Sequence, residues 1–396
     1  MSVDPLRILC LDVEGGYGGS SRSLYESLRH LNASEATAEV WCRRDGPIQP
    51  RYQAIGIATR VMPAMPRFSA LPRLSRNLHA AVTAILEFRR AGAFLEELRR
   101  ETARFDVIHF NHEALFPIAH WLRQRSRRPM TMHIRTNLID SMFARFQTRI
   151  IANAVDHLVF ITENEAEAFR RLGGHPRAAS VIYNIVDVPA EPPAPHPAVP
   201  ADGRFKIACL SSYSYARGLD RLVDVADALA RHGRQVLFVM AGRMALTGSM
   251  PGLLGEIGRR RGGLEEFVAA RGRSGMFQFL GHVSDPESVL AGCDALVKPT
   301  RENNPWGRDT LEALALGKPV LTCGRYDKFV EDGVTGILQP EFDTSLLAGA
   351  IMHLDDDRSL VRRMGDAGRG RVRELCDGNA RAADLLAVWR RVRKAA

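Results

Sequence analysis

The sequence has no CxxC pair; its six cysteines stand far apart at positions 10, 42, 209, 293, 323 and 376. Several lie in apolar, strand-like runs, so buried free thiols in a reducing compartment are expected, not a disulfide framework or a structural zinc site. No apolar run approaches the roughly 18 residues that span a bilayer. The N-terminus lacks a basic start with a long apolar stretch, so no signal peptide is read, and Leu6 to Val13 has the length of a buried strand. No GxxxxGK[ST] loop occurs, which disfavours ATP chemistry of that kind. No DxD-type metal motif stands out either, and the run Asp355, Asp356, Asp357 reads as a solvated turn. Zinc-finger and RNA-binding signatures are missing, so nucleic acid is not an expected partner despite a net charge of +9.

What is there suits two globular domains: 396 residues, 45% apolar and 25% charged. The clearest boundary is PAEPPAPHPAVPAD, residues 189–202, which reads as an extended linker because proline lacks a donor N–H and restrains the residue before it. It separates a first domain, 1–188, from a second, 203–375. Each half opens alike. RILCLDVEGGYGGSSRSLYESLRHL is a strand, a glycine-rich turn and an amphipathic helix; FKIACLSSYSYARGLDRLVDVADALARHG repeats that order. Further strands read at AEVWC, DVIHF, PMTMHI and HLVFIT, then at QVLFVMAG, FQFLG, ALVKPT and PVLTC. The fold class is therefore α/β: two Rossmann-like doubly wound domains, expected to face each other across a cleft, with ligands at the carboxyl ends of the strands. Residues 376–396 read as a helix, apolar on one side and basic on the other, that packs back on the first domain. Basic clusters run from Arg67 to Arg104 (Arg73, Arg76, Arg89, Arg90, Arg99 and Arg100 between), from Arg123 to Arg128, from Arg259 to Arg261 and from Arg390 to Lys394. Such a surface attracts anionic lipid heads or phosphorylated substrates; solvated helix faces are the alternative.

The passage richest in chemistry is LVKPTRENNPWGRDTLEALALGKPVLT, residues 296–322. A buried strand ends at Pro299. A polar loop carries Glu302, Asn303, Asn304, Pro305, Trp306 and Gly307. A helix follows with Glu312 in its early turns, and Gly317 and Pro319 stop it. N–H groups at a helix start and in a glycine-bearing loop bind phosphate. A nearby carboxylate can accept hydrogen bonds from both hydroxyls of a ribose. By itself, Glu312 fits that role or the stabilisation of a helix N-terminus. In the first half, Gly15, Gly16, Gly18 and Gly19 form a turn before a helix. A dinucleotide fingerprint would need a glycine where Ser21 stands and an acid where Arg43 and Arg44 follow the next strand.

The passage resembles the retaining glycosyltransferases of the GT-B fold, the large family four. Those proteins share a proline-ended strand, a Glu-rich loop with an aromatic-Gly pair, and a helix reading Glu-Ala-x-Ala-x-Gly-x-Pro-Val. The matching residues are Pro299, Trp306-Gly307 and Glu312-Ala313-Leu314-Ala315-Leu316-Gly317-Lys318-Pro319-Val320. DVIHFNH, MTMHIRTN, VFITENEAEAF, VIYNIVDVP, ARGLDRL, FLGHVSD and FVEDGVTGIL follow the family's order. The resemblance implies that Glu312 holds the donor ribose, that Trp306 and Gly307 belong to the donor loop, and that Gly16, Gly18 and Gly19 lie near the diphosphate and acceptor. It puts His133 against the donor sugar. The family's first loop Glu falls on Asn304, a departure; Glu302 substitutes for it, or Asn304 binds sugar hydroxyls as a neutral partner. The diphosphate-clamping Lys falls on Arg217 and the Arg on Ser211 or Ser212, leaving Arg301 or Arg308 as sources of the lost charge. His109, His112, Glu163, Asn164, Asn184 and Asp187 fall on positions to which no catalytic role is assigned.

The implied activity is metal-independent transfer of a hexosyl group, with retention, from a nucleotide diphosphate sugar to a glycan or lipid-linked acceptor, as in polysaccharide or glycoconjugate biosynthesis. No cofactor is implied, since the nucleotide sugar is a co-substrate. The expected place is the cytoplasm, with peripheral contact at the inner membrane face through the basic first domain. The alternatives are a non-catalytic nucleotide-sugar or carbohydrate-binding GT-B protein and a GT-B epimerase.

Overall fold

The computed structural model describes residues 4–13, 15–66, 78–138 and 140–395, so Arg67, Arg73 and Arg76 of the first basic cluster lie outside the described residues. The chain divides into two compact units, Met1–Ile185 with Cys376–Ala396, and Val186–Leu375.

The first unit runs β1 (Leu6–Leu11), α1 (Gly19–Arg29), β2 (Ala36–Cys42), α2 (Gln49–Ala54), β3 (Ala58–Val61), α3 (Leu78–Arg90), α4 (Gly92–Glu101), β4 (Val107–Phe110), α5 (Phe116–Arg123), β5 (Met130–Ile134), α6 (Met142–Ala154), β6 (His157–Phe160), α7 (Glu163–Arg171) and β7 (Ala179–Val181). Its strands form one parallel sheet in the order β3-β2-β1-β4-β5-β6-β7. The central strands are apolar on both faces, as a parallel sheet covered by helices requires. Along β1, Leu9 and Leu11 join a core with Phe94, Leu98, Ile118 and Ile151, whereas Ile8 and Cys10 join another with Leu24, Leu28 and Tyr52.

The second unit runs β8 (Lys206–Leu210), α8 (Arg221–Arg231), β9 (Leu237–Ala241), α9 (Gly252–Arg259), α10 (Leu264–Ala270), β10 (Phe277–Gly281), α11 (Pro286–Ala291), β11 (Ala295–Lys298), α12 (Arg308–Ala315), β12 (Val320–Cys323), β13 (Gly336–Gln339), α13 (Thr344–Asp356) and α14 (Arg358–Leu375). Its parallel sheet has the order β10-β9-β8-β11-β12-β13 around a core with Val223, Val225, Phe238, Met240 and Ile351. The chain then returns to the first unit as α15 (Gly378–Lys394), which starts where the Asp377 carboxylate accepts from Ala380 N at 2.8 Å. Leu385, Leu386, Val388, Trp389 and Val392 of α15 complete the Ile8 and Cys10 core.

All six cysteines are buried, and no disulfide joins any two of them. The proline-rich segment has neither helix nor strand, but it is packed: His196 N donates to Ser288 O at 2.9 Å and Val199 is buried. The aspartate run is a helix end and not a solvated turn, because Asp355 and Asp356 pair with Arg234 and Asp355 also with Arg358.

Candidate functional site

In each sheet the strand order reverses once, between β1 and β4 and between β8 and β11. Loops leaving the carboxyl ends of two such strands diverge and open a crevice, the standard ligand position in a doubly wound sheet. Both crevices hold polar side chains that the sequence places directly after buried strands.

In the second unit, the loop after β8 and the loop after β11 are tied together. Arg301 N donates to Ala216 O at 2.7 Å, and its guanidinium donates to Tyr215 O at 2.8 Å. The same guanidinium forks onto both Asp220 oxygens, at 2.8 and 2.5 Å, and lies 3.9 Å from the Tyr215 ring centroid. Tyr213 donates its hydroxyl to Asp220 Oδ1 at 3.0 Å. Gly218 has φ +69, and a Cβ there would stand 2.1 Å from Pro299 O, so only glycine lets the loops approach this closely.

Arg217 is exposed at the edge of this clip. Its Nη1 donates to Ser211 Oγ at 2.5 Å and to Ser212 O at 3.3 Å. Ser211 and Ser212, one of which stands where the family has its Arg, thus aim the arginine that remains. A second exposed cation stands next to them. Arg243, just past β9, donates its N–H to Ser212 Oγ at 3.2 Å and accepts from Tyr213 N at 2.7 Å through its carbonyl. Arg301 and Arg308 do not supply a free charge here. The first is held by Asp220; the second lies 2.8 Å from Glu312 Oε1.

The β11 loop is drawn over α12 by Lys298, whose Nζ donates to Trp306 O at 2.5 Å and sits 3.4 Å from Asp309 Oδ1. A Cβ on Gly307 would meet that Nζ at 2.6 Å and Asp309 Oδ1 at 2.5 Å, so a side chain there would have to push these two flexible side chains aside. Glu312 is buried at 5% exposure in the second turn of α12, with its Oε1 2.8 Å from the Arg308 guanidinium one turn earlier. Trp306 turns its ring inward onto Phe329, centroids 6.1 Å apart, so at this position the loop offers main chain and not an aromatic face. Glu302 is exposed and Asn304 half-buried. Asn304 Oδ1 and Trp306 Nε1 are buried with no hydrogen-bond partner among the described residues.

In the first unit, Asp12 follows β1, Asn111 follows β4 and Arg135 follows β5. Asn111 Nδ2 donates to Asp12 Oδ1 at 2.8 Å and to Ser20 O at 3.1 Å, which ties the α1 start to the strand ends. Arg135 Nε donates to Asn111 O at 2.7 Å and its Nη1 to Asn184 Oδ1 at 3.3 Å. Gly16, Gly18 and Gly19 are exposed, with open space where a Cβ would stand, so their main chain is accessible beside α1. Gly15 is the packed member of the run, for a Cβ there would overlap Arg44 O. His133 ends β5 and is almost fully buried, with Nδ1 2.9 Å from His109 Nε2. Burial, with Arg135 nearby, pushes His109 down to about 3 and His133 well below the usual histidine range, so both are neutral at physiological pH. His112 accepts from Ala114 N at 3.1 Å and Glu163 accepts from the Tyr183 hydroxyl at 2.6 Å, both local structural contacts.

Sequence reading passed over Asp12, Arg135 and Arg243. Each is the first or second polar residue after a buried strand, at LRILCLD, MTMHIR and LFVMAGR, and that position was the available signal.

Known proteins fit this architecture. Residues 195–371 match the model for glycosyl transferases group 1, and residues 18–184 match that for a glycosyl transferase 4-like domain. The chain belongs to the group 1 glycosyltransferases and has the GT-B fold of two Rossmann-like α/β domains. It is 24% identical over 307 residues to the alpha-D-kanosaminyltransferase of Streptomyces kanamyceticus, covering 74% of this chain and 72% of the relative. Among solved structures, Anabaena HepE in complex with UDP-glucose superposes with a TM-score of 0.74 at 21% identity, covering 97% of this chain and 100% of that one. Sucrose-phosphate synthase from Thermosynechococcus elongatus gives 0.73 at 18% identity, over 99% and 100%. Among the described residues, no helix is long and apolar enough to cross a membrane.

Proposed function

We propose that the protein transfers a hexosyl group, with retention of configuration, from a nucleoside diphosphate sugar to a glycan or lipid-linked acceptor. The observation that carries this reading is the clip in the second unit. There two loops at the strand-order reversal are locked together, Arg217 is left exposed at their edge, and Glu312 is held beside Arg308 in the second turn of α12.

In this reading Glu312 accepts from the ribose hydroxyls, while Arg217, Arg243 and the N–H groups at the α12 start balance the diphosphate. Those groups neutralise the leaving group without a metal or a cofactor. Gly16, Gly18 and Gly19 offer main chain to the diphosphate and acceptor, and His133 offers an N–H to the donor sugar. Transfer is a front-face displacement. The bond from the anomeric carbon to phosphate oxygen breaks while the bond to the acceptor oxygen forms on the same face, and the acceptor's proton passes to the departing phosphate. Asn304 and Glu302 are the residues assigned to the sugar itself. The buried, unpartnered Asn304 Oδ1 and Trp306 Nε1 each cost about 1–3 kcal/mol. A loop shift on donor binding that satisfies them would recover that cost and couple the 302–307 loop to the sugar.

HepE, crystallised with UDP-glucose, makes uridine donors the first to test. A thermal-shift screen of UDP, GDP, ADP and their sugars, followed by product detection with anomeric analysis by NMR, tests the proposal. Stabilisation by one nucleotide family and an axial product from an axial donor are expected. No stabilisation by any of them would overturn it. Because Asn304 and either Ser211 or Ser212 stand where the family has charged groups, a donor-binding protein without transfer is the second reading; binding with no product from any acceptor favours it. Consumption of donor without acceptor, giving an epimer, favours an epimerase.

Peripheral membrane contact at the cytoplasmic face is part of the proposal. On α3, Val82, Ile85 and Leu86 are exposed at 46%, 60% and 44%, and Arg89 and Arg90 are exposed one turn on. Apolar residues at i, i+3 and i+4 with cations beyond them suit an anionic lipid interface.

A further inference from the structure

We propose that Trp389, on the C-terminal helix, is a positioning residue that sets the tautomer of His133 through His109, so that His133 presents Nε2–H to the ligand. The inference rests on the role proposed for His133 at the donor sugar.

Three side chains make the chain. Trp389 Nε1 lies 3.4 Å from His109 Nδ1, and the indole meets the imidazole edge-on at a centroid distance of 5.5 Å. His109 Nε2 lies 2.9 Å from His133 Nδ1, with the two rings at 89°. Trp389 and His109 are fully buried and His133 is nearly so, so water does not compete for these positions.

An indole nitrogen can only donate, whereas a neutral imidazole has one donor and one acceptor nitrogen. Trp389 therefore requires His109 Nδ1 to accept. Thr131 Oγ1, 2.8 Å from the same nitrogen, would accept or donate equally well by itself; with the indole present it must donate too. The proton of neutral His109 is then on Nε2, and it is given to His133 Nδ1. That nitrogen is thereby the acceptor of His133, and the proton of His133 sits on Nε2. Among the described residues His133 Nε2 has no hydrogen-bond partner. The group offered outward is a neutral N–H donor, fitted to a sugar hydroxyl or a phosphate oxygen and unable to act as a base through that nitrogen. Burial and Arg135 keep both rings neutral, so the chain is not interrupted by protonation in the working pH range.

The order matters because the two ends come from opposite ends of the sequence. β4 and β5 supply the histidines, and α15 supplies the only obligate donor to His109 among the described residues. Without the indole, Thr131 can accept from His109 Nδ1–H. His109 would then turn a lone pair toward His133, and His133 would point its proton inward and a lone pair outward.

The test uses the full-length protein with 15N-labelled histidine. Long-range 1H–15N correlation spectra at neutral pH should report both His109 and His133 as Nε2–H tautomers. Trp389→Phe, which keeps the ring and loses the N–H, should shift both toward mixed or Nδ1–H states. It should also lower kcat for transfer several-fold, with little change in the KM for donor. His109→Gln supplies a carboxamide NH2 that donates to His133 whatever stands at 389. In that background Trp389→Phe should leave the His133 tautomer and kcat unchanged. His133 found as Nδ1–H in the wild type, or unaltered by Trp389→Phe in a variant whose circular dichroism is native, overturns the relay. Tautomers that shift as expected with kcat unaltered uphold the relay and instead overturn the role given to His133.

Discussion

Replacing Glu312 by Gln separates the ribose contact from the structural part that the same carboxylate plays. Glu312 and Arg308 have side-chain exposures of only 6% and 12%, so their pair is not a solvent-screened surface contact worth a few tenths of a kcal/mol. In E312Q the guanidinium keeps its charge beside a neutral amide. Loss of one partner from a mostly buried pair costs stability, on the order of 1–3 kcal/mol here, because Arg308 retains some access to water. Loss of a charged acceptor for ribose costs donor binding or turnover about 1–3 kcal/mol, or roughly 5- to 150-fold in kcat/KM. The double variant R308M/E312Q resolves the two. With both charges gone, urea unfolding should return toward wild-type stability, whereas kcat/KM, measured with the nucleotide sugar that best stabilises the protein, should stay low. If the double variant regains turnover together with stability, Glu312 acts only by holding Arg308 and α12, and the ribose assignment is wrong. Unchanged kcat/KM in E312Q refutes it more directly.

Other outcomes follow from the same geometry. Arg217→Gln should raise the donor KM by roughly 10-fold or more, as for loss of a charge-assisted contact, and Arg217→Lys should restore part of it; Arg243→Gln should give a smaller rise, and no change in either variant would remove these cations from the diphosphate site. Glu165 is buried on α7 and pushed up to about 7 by that burial. A carboxyl raised in the folded state keeps its proton while the unfolded chain loses it, so stability falls as pH rises from about 4.5 to 7 and then levels. Urea titrations should therefore show E165Q gaining about 1–3 kcal/mol over wild type at pH 8 and little at pH 4.5; equal profiles would mean the carboxyl is hydrated. The depressed histidines act oppositely, costing stability as pH falls below about 6.5, where only the unfolded chain takes up their protons. Flotation with anionic liposomes at low salt should carry the wild type, lose it at high salt, and lose it with Ile85→Glu; no flotation at low salt would rule out the α3 contact.

The fold was legible because a parallel sheet covered on both faces needs apolar strands, and those runs are unmistakable at LRILCL, VIHF, MTMHI, KIACL and LFVMA. The strands that escaped notice are β3, β7 and β13, of three or four residues, with partly exposed positions and no apolar run to mark them. All three sit at sheet edges, where burial imposes less on composition. The site was legible in kind but not in wiring. Glu312, Arg217 and the glycine turn could be singled out from residue type and spacing. That Arg301 is neutralised could not, because Asp220 is 81 positions away and meets it only where β8 and β11 lie side by side.

Arg301 and Arg308, the two arginines expected from the sequence to replace a lost cation, are both paired with acids instead. Arg301 and Arg308 stand on the loop that carries the motif, and a tight loop near a helix start must neutralise its own charges before it can pack. Asp220 and Glu312 do so. A cation available to a ligand must come from a position whose main chain is fixed but whose side chain has no acid within reach. Arg217 meets that condition through its N–H on Ser214 O, and Arg243 through the Ser212 hydroxyl and the Tyr213 N–H; among the described residues neither side chain pairs with an acid. Ser211 and Ser212 therefore fix the Arg217 guanidinium and the Arg243 main chain at the strand ends. Ser211→Ala should loosen Arg217 and raise the donor KM in the same direction as Arg217→Gln, by a smaller factor.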